Sequence, residues 1–287
     1  MRFEKFEALG NDFIVIHESD VSVTTPSLSE LALRQCDRHF GIGADGLEVV
    51  LSKHSTVSLP PDTDFAVRLF NADGGETPIS GNGTRCVAAW LFANSHWSKP
   101  EVTIMTRAGT KKLVLKDRSG NTFRFEMEMG TPYLRSDEVP VIADRPLDRV
   151  AGETIQLSNR TITFTASSMG NPHCSIFVDS FDGLDWQTIG AEIEKHPRFP
   201  ERTNVEFIRV LDRHTIAVKF WERGVGATLA SGTGACGAAV ASILNNLTER
   251  EVRVRTEAGE LRVEWRRDGL VYQTGEARRV FSGDWYD

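Results

Sequence analysis

Two segments of the sequence place a serine immediately before a glycine-rich turn. They are SGNG at residues 80–83 and SGTG at residues 231–234, so the serines lie 151 positions apart (231 minus 80). Serine is a preferred helix N-cap, and the unpaired backbone N–H groups of a helix N-terminus favour a carboxylate or a phosphate. Two such turns at one ligand would place Ser80 and Ser231 on opposite faces of it, which suits proton transfer at one carbon. The alternative is that both serines only cap helices and allow close backbone packing.

Polar residues beside turns form a second group of candidates. Asn71 lies nine residues before Ser80, and Glu222 lies nine residues before Ser231, with Arg223 following it. Further candidates are three amides and one imidazole near glycines or turns: Asn11, Asn171, Asn204 and His173. Turn formation explains any one of these residues alone, and a lone His is often a structural residue. The matching positions of Asn71 and Glu222 make them candidates for a ligand site.

The elements that must position these residues are repeated along the chain. VTIMTRAGTKKL at residues 102–113 is similar to VRVRTEAGELRV at residues 252–263, with the Ala-Gly pairs 150 positions apart (258 minus 108). Alternation in FAVRLF at residues 65–70 and TIAVKFW at residues 215–221 predicts a strand before each glycine-rich turn, and the apolar runs after the turns predict buried helices. Hairpins are predicted at the Ala-Gly pairs, so antiparallel pairing should dominate over a Rossmann sheet. The chain is therefore predicted to be an internal duplication, with one central helix in each half.

Two peripheral helices have capping signals. Ser27 and Glu30 form a capping box, and Asp185 precedes WQTIGAEIEKH, which Pro197 ends. Between the copies, residues 134–155 are polar and contain proline. That composition is typical of a linker, with room for some strands.

Composition restricts the class of protein. A length of 287 residues predicts two domains, and 40% hydrophobic with 25% charged residues is typical of a soluble globular protein. The net charge of -7 with scattered Lys and Arg argues against a nucleic-acid partner, and no segment reaches the roughly 18 apolar residues of a membrane span. No secretory signal is evident, and four cysteines without metal-ligand spacing predict buried free thiols in the cytoplasm. We therefore expect a small-molecule ligand, no metal and no membrane.

Eight motifs resemble those of the diaminopimelate epimerase family. They are GNDF at 10–13, DRHFGIGADG at 37–46, FNADG at 70–74, SGNGTRC at 80–86, GNPH at 170–173, TNVEF at 203–207, ERGVG at 222–226 and SGTGAC at 231–236. Their order and spacing match across nearly the whole chain, so the resemblance is specific. It implies cofactor-independent inversion at the α-carbon of diaminopimelate, in an active site in the cleft between two similar halves.

The repeats and the resemblance together predict an α+β fold. Two pseudo-symmetric halves are expected, each a mostly antiparallel, strongly curved sheet wrapped around a central helix. The N-terminal half would take residues 1–126 and 277–287, and the C-terminal half residues 127–276. The candidate catalytic residues are Ser80, Ser231, His173 and Glu222. The candidate substrate-binding residues are the retained family contacts and the two turns, namely Asn11, Asn71, Gly81, Asn82, Asn171, Asn204, Arg223, Gly232 and Thr233, with no metal and no cofactor.

Both base positions depart from the family. The resemblance implies two cysteines as acid and base where this chain has Ser80 and Ser231. A helix N-terminus stabilises an anion by about 0.3–1 kcal/mol, and one pKa unit is about 1.36 kcal/mol, so the turn lowers a pKa by about one unit. That shift is useful for a thiol near roughly 8.5, whereas a serine alkoxide needs an adjacent general base. Cys86, Cys174 and Cys236 lie inside the helices or after GNPH and are no simple substitutes.

Three accounts of the serines stay open from the sequence. The enzyme is reworked, with His173 or Glu222 as working bases and the serines as relays; or the protein is a pseudo-enzyme or acts on another substrate; or both cysteines were deliberately replaced. The leading prediction is an isomerase that interconverts LL- and meso-diaminopimelate, a step towards lysine and peptidoglycan precursors. The alternatives are a racemase, isomerase or dehydratase of the same fold, and a non-catalytic amino-acid-binding protein. A homodimer is one expected assembly, although the sequence does not fix the oligomeric state.

Overall fold

A computed structural model describes residues 1–21, 27–52 and 59–286 of the chain. The chain divides into two compact units. Unit 1 comprises Met1–Met127 and Thr274–Asp287, and unit 2 comprises Glu128–Gln273.

Unit 1 is a ring of strands with two helices. Its strands are β1 (Arg2–Ala8), β2 (Asn11–His17), β3 (Gly46–Leu51), β4 (Phe65–Asn71), β5 (Glu76–Thr77), β6 (Glu101–Thr106), β7 (Gly109–Ser119), most of β8 (Thr122–Gly130) and most of β17 (Val271–Asp284). Its helices are α1 (Leu28–Cys36) and α2 (Gly81–Ala93), and a short 3-10 helix spans Glu18–Asp20. Strand pairing runs through β17, β1, β2, β3, β4, β6, β7 and β8, and β8 pairs with β17 to close the ring. Helix α2 packs against β1, β2 and β3 and is buried from Asn82 to Leu91.

Unit 2 wraps its strands around α4 in the same way. Its strands are β9 (Val150–Gln156), β10 (Thr161–Ser168), β11 (Pro172–Phe177), β12 (Asn204–Asp212), β13 (Thr215–Glu222), β14 (Gly226–Thr228), β15 (Glu251–Thr256) and β16 (Gly259–Trp265). Its helices are α3 (Trp186–Glu194) and α4 (Gly232–Leu244). Pairing runs from β9 through β10, β11, β12, β13 and β15 to β16. Helix α4 packs against β10, β11, β12, β13, β15 and β16, so the second central helix is also buried.

The strand registers confirm the predicted α+β fold with its repeated halves. Gly46 of β3 faces Asn71 of β4. In unit 2, Val205 of β12 faces Trp221 of β13, which is one residue away from the position that corresponds to the Gly46–Asn71 pair. The Ala-Gly hairpins are antiparallel in both units, at β6–β7 and β15–β16. The parallel pairs β2–β3 and β11–β12, which the sequence did not indicate, recur at matching places. Each parallel pair arises because a peripheral helix, α1 or α3, connects its two strands.

The peripheral helices begin where their caps predict. The side chain of Ser27 accepts a hydrogen bond from Glu30 N (3.1 Å), and the side chain of Asp185 accepts one from Thr188 N (3.4 Å). The linker-like appearance of residues 134–155 was misleading. Val139, Val141 and Val150 of this stretch lie in the core of unit 2, because its few apolar residues are buried although its composition is polar.

A close approach of α3 to β13 generates a stability prediction. A Cβ atom at Gly190 would lie 2.8 Å from Cβ and Cγ of Trp221, which is too close for any side chain. We expect Gly190→Ala to lower the thermal unfolding midpoint, because overpacking costs about 1–3 kcal/mol and the better helix propensity of Ala returns only about 1 kcal/mol. Gly81→Ala is the matched control, since its Cβ would meet only Met127 Cε at 3.5 Å. Equal midpoints for both variants, measured by circular dichroism, would contradict this packing.

Candidate functional site

The first turn of α4 brings a serine and a carboxylate into contact in unit 2. The Oγ atom of Ser231 accepts a hydrogen bond from Gly234 N (3.3 Å) and donates one to Glu222 Oε2 (2.8 Å). Thr228 Oγ1 donates to the other oxygen, Glu222 Oε1 (2.7 Å). The sequence folds this way because β13 ends at Glu222 and the turn to β14 brings Gly226 opposite it. Ser231 therefore has the adjacent carboxylate that a serine needs in order to act as a base.

A buried amide fixes the loop that follows Glu222. Asn204 Oδ1 accepts a hydrogen bond from Arg223 N (2.9 Å), and Asn204 Nδ2 donates one to Pro172 O (2.9 Å). The Arg223 guanidinium donates to Glu201 O (2.9 Å) and is exposed. A guanidinium has five N–H donors, so Arg223 keeps donors for a carboxylate ligand.

His173 is wholly buried, and both of its ring nitrogens have partners. Nδ1 lies 2.6 Å from Glu206 Oε1, and Nε2 lies 3.0 Å from Asn171 Oδ1. Asn171 Nδ2 in turn donates to Thr233 Oγ1 (3.3 Å) in the first turn of α4. Burial raises the pKa of Glu206, and the His173 imidazole opposes that rise. This chain of contacts orients Asn171 beside the turn.

The first turn of α2 in unit 1 has a different environment. Ser80 Oγ accepts a hydrogen bond from Gly83 N (3.1 Å), as Ser231 does in unit 2. Among the described residues no carboxylate is hydrogen-bonded to Ser80. The position that corresponds to Glu222 is occupied by Asn71, which is exposed. Both serines thus cap their helices in the same way, but among the described residues only Ser231 is hydrogen-bonded to a carboxylate.

An amide pair lies next to Ser80 in unit 1. Asn82 Nδ2 donates to Asn11 Oδ1 (3.3 Å), and Asn11 Nδ2 donates to Asp45 Oδ2 (2.6 Å). The buried Arg85 donates to Asn82 Oδ1. These contacts hold two of the predicted substrate-binding amides at the N-terminal end of α2.

An ion cluster anchors the loop that carries Asp45. Arg38 lies 2.8 Å from Asp12 Oδ1 and 2.7 Å from Asp45 Oδ1, and Lys5 lies 2.7 Å from Asp12 Oδ2. Burial by itself raises the pKa of Asp12, but Arg38 and Lys5 outweigh it and hold that pKa at about 2. The cluster therefore keeps Asp12 ionised and fixes the segment beside Asn11.

The structure gathers most of the predicted site residues at the N-terminal ends of the two central helices. Unit 1 holds Asn11, Asn71, Ser80, Gly81 and Asn82, and unit 2 holds Asn171, His173, Asn204, Glu222, Arg223, Ser231, Gly232 and Thr233. Gly232 O accepts a hydrogen bond from Gln273 Nε2 (2.7 Å). Sequence reasoning did not identify Glu206, Asp45 or Thr228. A carboxylate between the apolar residues Val205 and Phe207 of β12 was the available signal for Glu206.

The cysteines do not replace the serines. All four are buried free thiols, as predicted. Burial raises the pKa of Cys36 to about 12 and places those of Cys86 and Cys174 well above the usual range. A cavity of about 420 Å³ lies at the other end of α2, lined in part by His17, Trp90 and His96, and no predicted site residue lines it. None of the helices in the described part of the chain has the length and apolar character needed to cross a membrane.

Comparison with known proteins agrees with this arrangement. The family profile described as diaminopimelate epimerase matches residues 3–135 and 165–280. The chain is 42% identical to the diaminopimelate epimerase of Pelotomaculum thermopropionicum over 99% of both chains, and 42% identical to that of Desulfitobacterium hafniense over 99% of this chain and 97% of the relative. Among solved structures, a PhzF-family phenazine biosynthesis protein of Bacillus anthracis has a TM-score of 0.67 at 15% identity and covers 100% of this chain and 99% of its own. A hydroxyproline epimerase of Agrobacterium vitis has a TM-score of 0.65 at 15% identity and covers 99% of this chain and 91% of its own.

The duplicated α+β fold is thus shared with the PhzF-family protein and the hydroxyproline epimerase. The chain belongs to the diaminopimelate epimerase family, and it is an isomerase by class.

The low pKa of Asp12 generates a pH-dependent stability prediction. Because the folded-state pKa of about 2 lies below the usual 3.8, the ionised group stabilises the fold above pH 4, and this stabilisation is lost as the pH falls through 2. We expect Asp12→Asn to lower the free energy of unfolding by about 2 kcal/mol at pH 7, and the difference from wild type to shrink as the pH falls from 4 towards 2. Urea titrations between pH 7 and pH 3 measure it, with the exposed Asp144→Asn as control. A difference that is constant with pH would contradict the proposed ion cluster.

Proposed function

We propose that this protein interconverts LL- and meso-diaminopimelate by proton transfer at one α-carbon, without a cofactor. Family membership supports the substrate. The observation that carries the chemistry is the 2.8 Å hydrogen bond from Ser231 to Glu222. It supplies the general base that a serine in the place of a cysteine requires.

Ser231 and Glu222 act as one base in this proposal. Ser231 Oγ takes the α-proton while its own proton passes to Glu222 Oε2, so the carbon–hydrogen bond breaks and its electron pair stays on the α-carbon. Glu222 ends protonated, and no charge is left on the serine. General-base assistance of this kind contributes typically about 10²–10⁴-fold.

Ser80 is assigned the role of the acid in this proposal. It gives its hydroxyl proton to the α-carbon and is reprotonated by water, and the hydroxide so formed takes the proton from Glu222, which returns both groups to their starting state. The first turn of α2 stabilises the transient alkoxide by only about 0.3–1 kcal/mol, and among the described residues no carboxylate is hydrogen-bonded to Ser80 to accept its proton. Proton removal by Ser80 in the reverse direction is therefore the slower half of the reaction.

The remaining site residues hold the substrate. Asn11 and Asn82 in unit 1 donate and accept as an amide pair, and Arg223 in unit 2 binds a carboxylate with parallel hydrogen bonds. His173 acts through Asn171 as a positioning residue, because its two nitrogens are already bonded. Further binding contacts are assigned to the turn backbones and the other amides, namely Asn71, Gly81, Asn204, Gly232 and Thr233.

The setting of the protein is also a proposal. The four free thiols support a reducing cytoplasm. Exposed Val280 and Phe281 on β17, 47% and 44% accessible, support a homodimer, since exposed apolar groups often mark an interface.

Deuterium exchange tests the function directly. With diaminopimelate in deuterated water, wild type should lose the α-proton signal in NMR, and Glu222→Gln should slow exchange by about 10²-fold or more, because an amide accepts no proton from Ser231. Glu257→Gln, which removes a surface carboxylate paired with Lys219, is the control. Binding of diaminopimelate without exchange in wild type would favour the non-catalytic alternative, and exchange on other amino acids would favour a different substrate.

Restoring both thiols tests the assignment of the two serines. Ser80→Cys combined with Ser231→Cys should raise the rate of epimerisation by orders of magnitude, because a helix N-terminus makes a thiolate accessible near neutral pH. The gain should be larger for Ser80→Cys alone than for Ser231→Cys alone, because Ser231 already has Glu222. If the double variant binds diaminopimelate and stays as slow as wild type, neither serine is the acid or base.

A further inference from the structure

A buried carboxyl group with one unpartnered oxygen in the described part of the chain lies against the first turn of α2. Glu48 of β3 is 1% exposed, and its Oε2 atom has no hydrogen-bond partner in the described part of the chain. Its cross-strand neighbours are Val15 on β2 and Leu69 on β4. Burial raises the pKa of Glu48 to about 8. Burial in this apolar setting keeps the carboxyl uncharged at neutral pH.

The carboxyl lies directly against the turn that contains Ser80. A Cβ atom at Gly83 would lie 2.0 Å from Glu48 Oε1, so only glycine fits there. The N–H group of Gly83 is the one that donates to Ser80 Oγ. A charge on Glu48 would therefore act at short range on the donors of this turn.

The equivalent carboxylate in unit 2, Glu206, has a hydrogen-bond partner of a kind that Glu48 lacks in the described part of the chain. Glu206 occupies the same register on β12, opposite Ser175 of β11, and pairs with His173 two residues earlier on that strand. The residue two before Val15 on β2 is Phe13, which stands where His173 stands in unit 2. Glu206 has an imidazole to share its proton, whereas the equivalent register position near Glu48 is occupied by Phe13.

We propose that Glu48 is a positioning residue for the first turn of α2, and that its carboxyl must be uncharged for this turn to stabilise an anion. The ligand is any anion at the turn, either the substrate carboxylate or an ionised side chain at position 80. In its substrate form the proposal rests on the proposed function. An ionised Glu48 cancels the positive end of the helix and opposes that anion.

Other charged groups near Glu48 also act on the first turn of α2. Strands β2 and β4 place only Val15 and Leu69 beside it, and α2 adds Arg85 and the neutral thiol of Cys86. Glu7 and Asp12 also act at this helix, in the same direction as Glu48, with Arg85 opposed. The pKa of Asp12 is held at about 2, whereas that of Glu48 is raised to about 8. As pH rises through about 8, Glu48 gains its charge and anion binding at the turn weakens.

A thiol at position 80 reports on an anion at this turn without any substrate. In Ser80→Cys, the rate of alkylation by iodoacetamide at that position, measured by mass spectrometry from pH 6 to 10, gives the pKa of the thiol. Adding Glu48→Gln, which keeps the shape without the charge, should lower that pKa and raise the rate near the thiol pKa several-fold. Adding Phe13→His should shift the pH at which Glu48 ionises downwards. Ser231→Cys with and without Glu48→Gln is the matched control and should not change.

Two measurements on wild type keep the proposal falsifiable if a variant does not fold. The carboxyl carbon signal of Glu48, followed by NMR, should titrate near pH 8, and a midpoint below 5 overturns the proposal. Calorimetric binding of diaminopimelate should weaken several-fold as pH rises from 7 to 9. An unchanged thiol pKa in Ser80→Cys with Glu48→Gln also overturns it. A wild type without proton exchange overturns the proposed function alone, because the thiol and NMR results do not depend on turnover.

Discussion

Each unit depends on a central helix that is buried on nearly all sides. A buried helix leaves its first N–H groups without partners, and burying them unpaired would cost more than the helix gains. Ser80 and Ser231 each satisfy one of these groups by accepting a hydrogen bond from the N–H of the residue three positions later, Gly83 or Gly234. The same requirement that stabilises the core therefore creates a polar, anion-favouring point in an otherwise apolar unit.

Duplication gave both units this design, and later substitutions made them chemically different. Glu222 in unit 2 corresponds to Asn71 in unit 1, so Ser231 has a carboxylate partner and Ser80 has none among the described residues. The buried carboxylates differ in the same sense, since Glu206 in unit 2 pairs with His173, whereas Glu48 in unit 1 has no such partner among the described residues. An inversion needs an acid on one face and a base on the other, and unequal surroundings are a physical way to divide those roles.

Serine in the place of cysteine changes what the site must supply. A thiolate needs only a modest fall in pKa, which a helix N-terminus provides, whereas an alkoxide needs a proton acceptor in contact. The carboxylate of Glu222 meets this need in unit 2, with Thr228 fixing its orientation through its second oxygen. The proposed function thus combines membership of the family with a different way of moving the proton.

The sequence by itself determined the family, the duplication, the central helices and most of the residues at the two turns. These follow from local signals: serine caps, glycine turns, period-2 alternation and the repeat of 151 positions between the serines. Tertiary structure alone decided which side chains touch. The pairing of Ser231 with Glu222, the burial of His173 against Glu206 and the isolation of Glu48 depend on strand registers that join residues far apart in the chain. Side-chain contact and desolvation are set by these long-range pairings, and no local pattern encodes them.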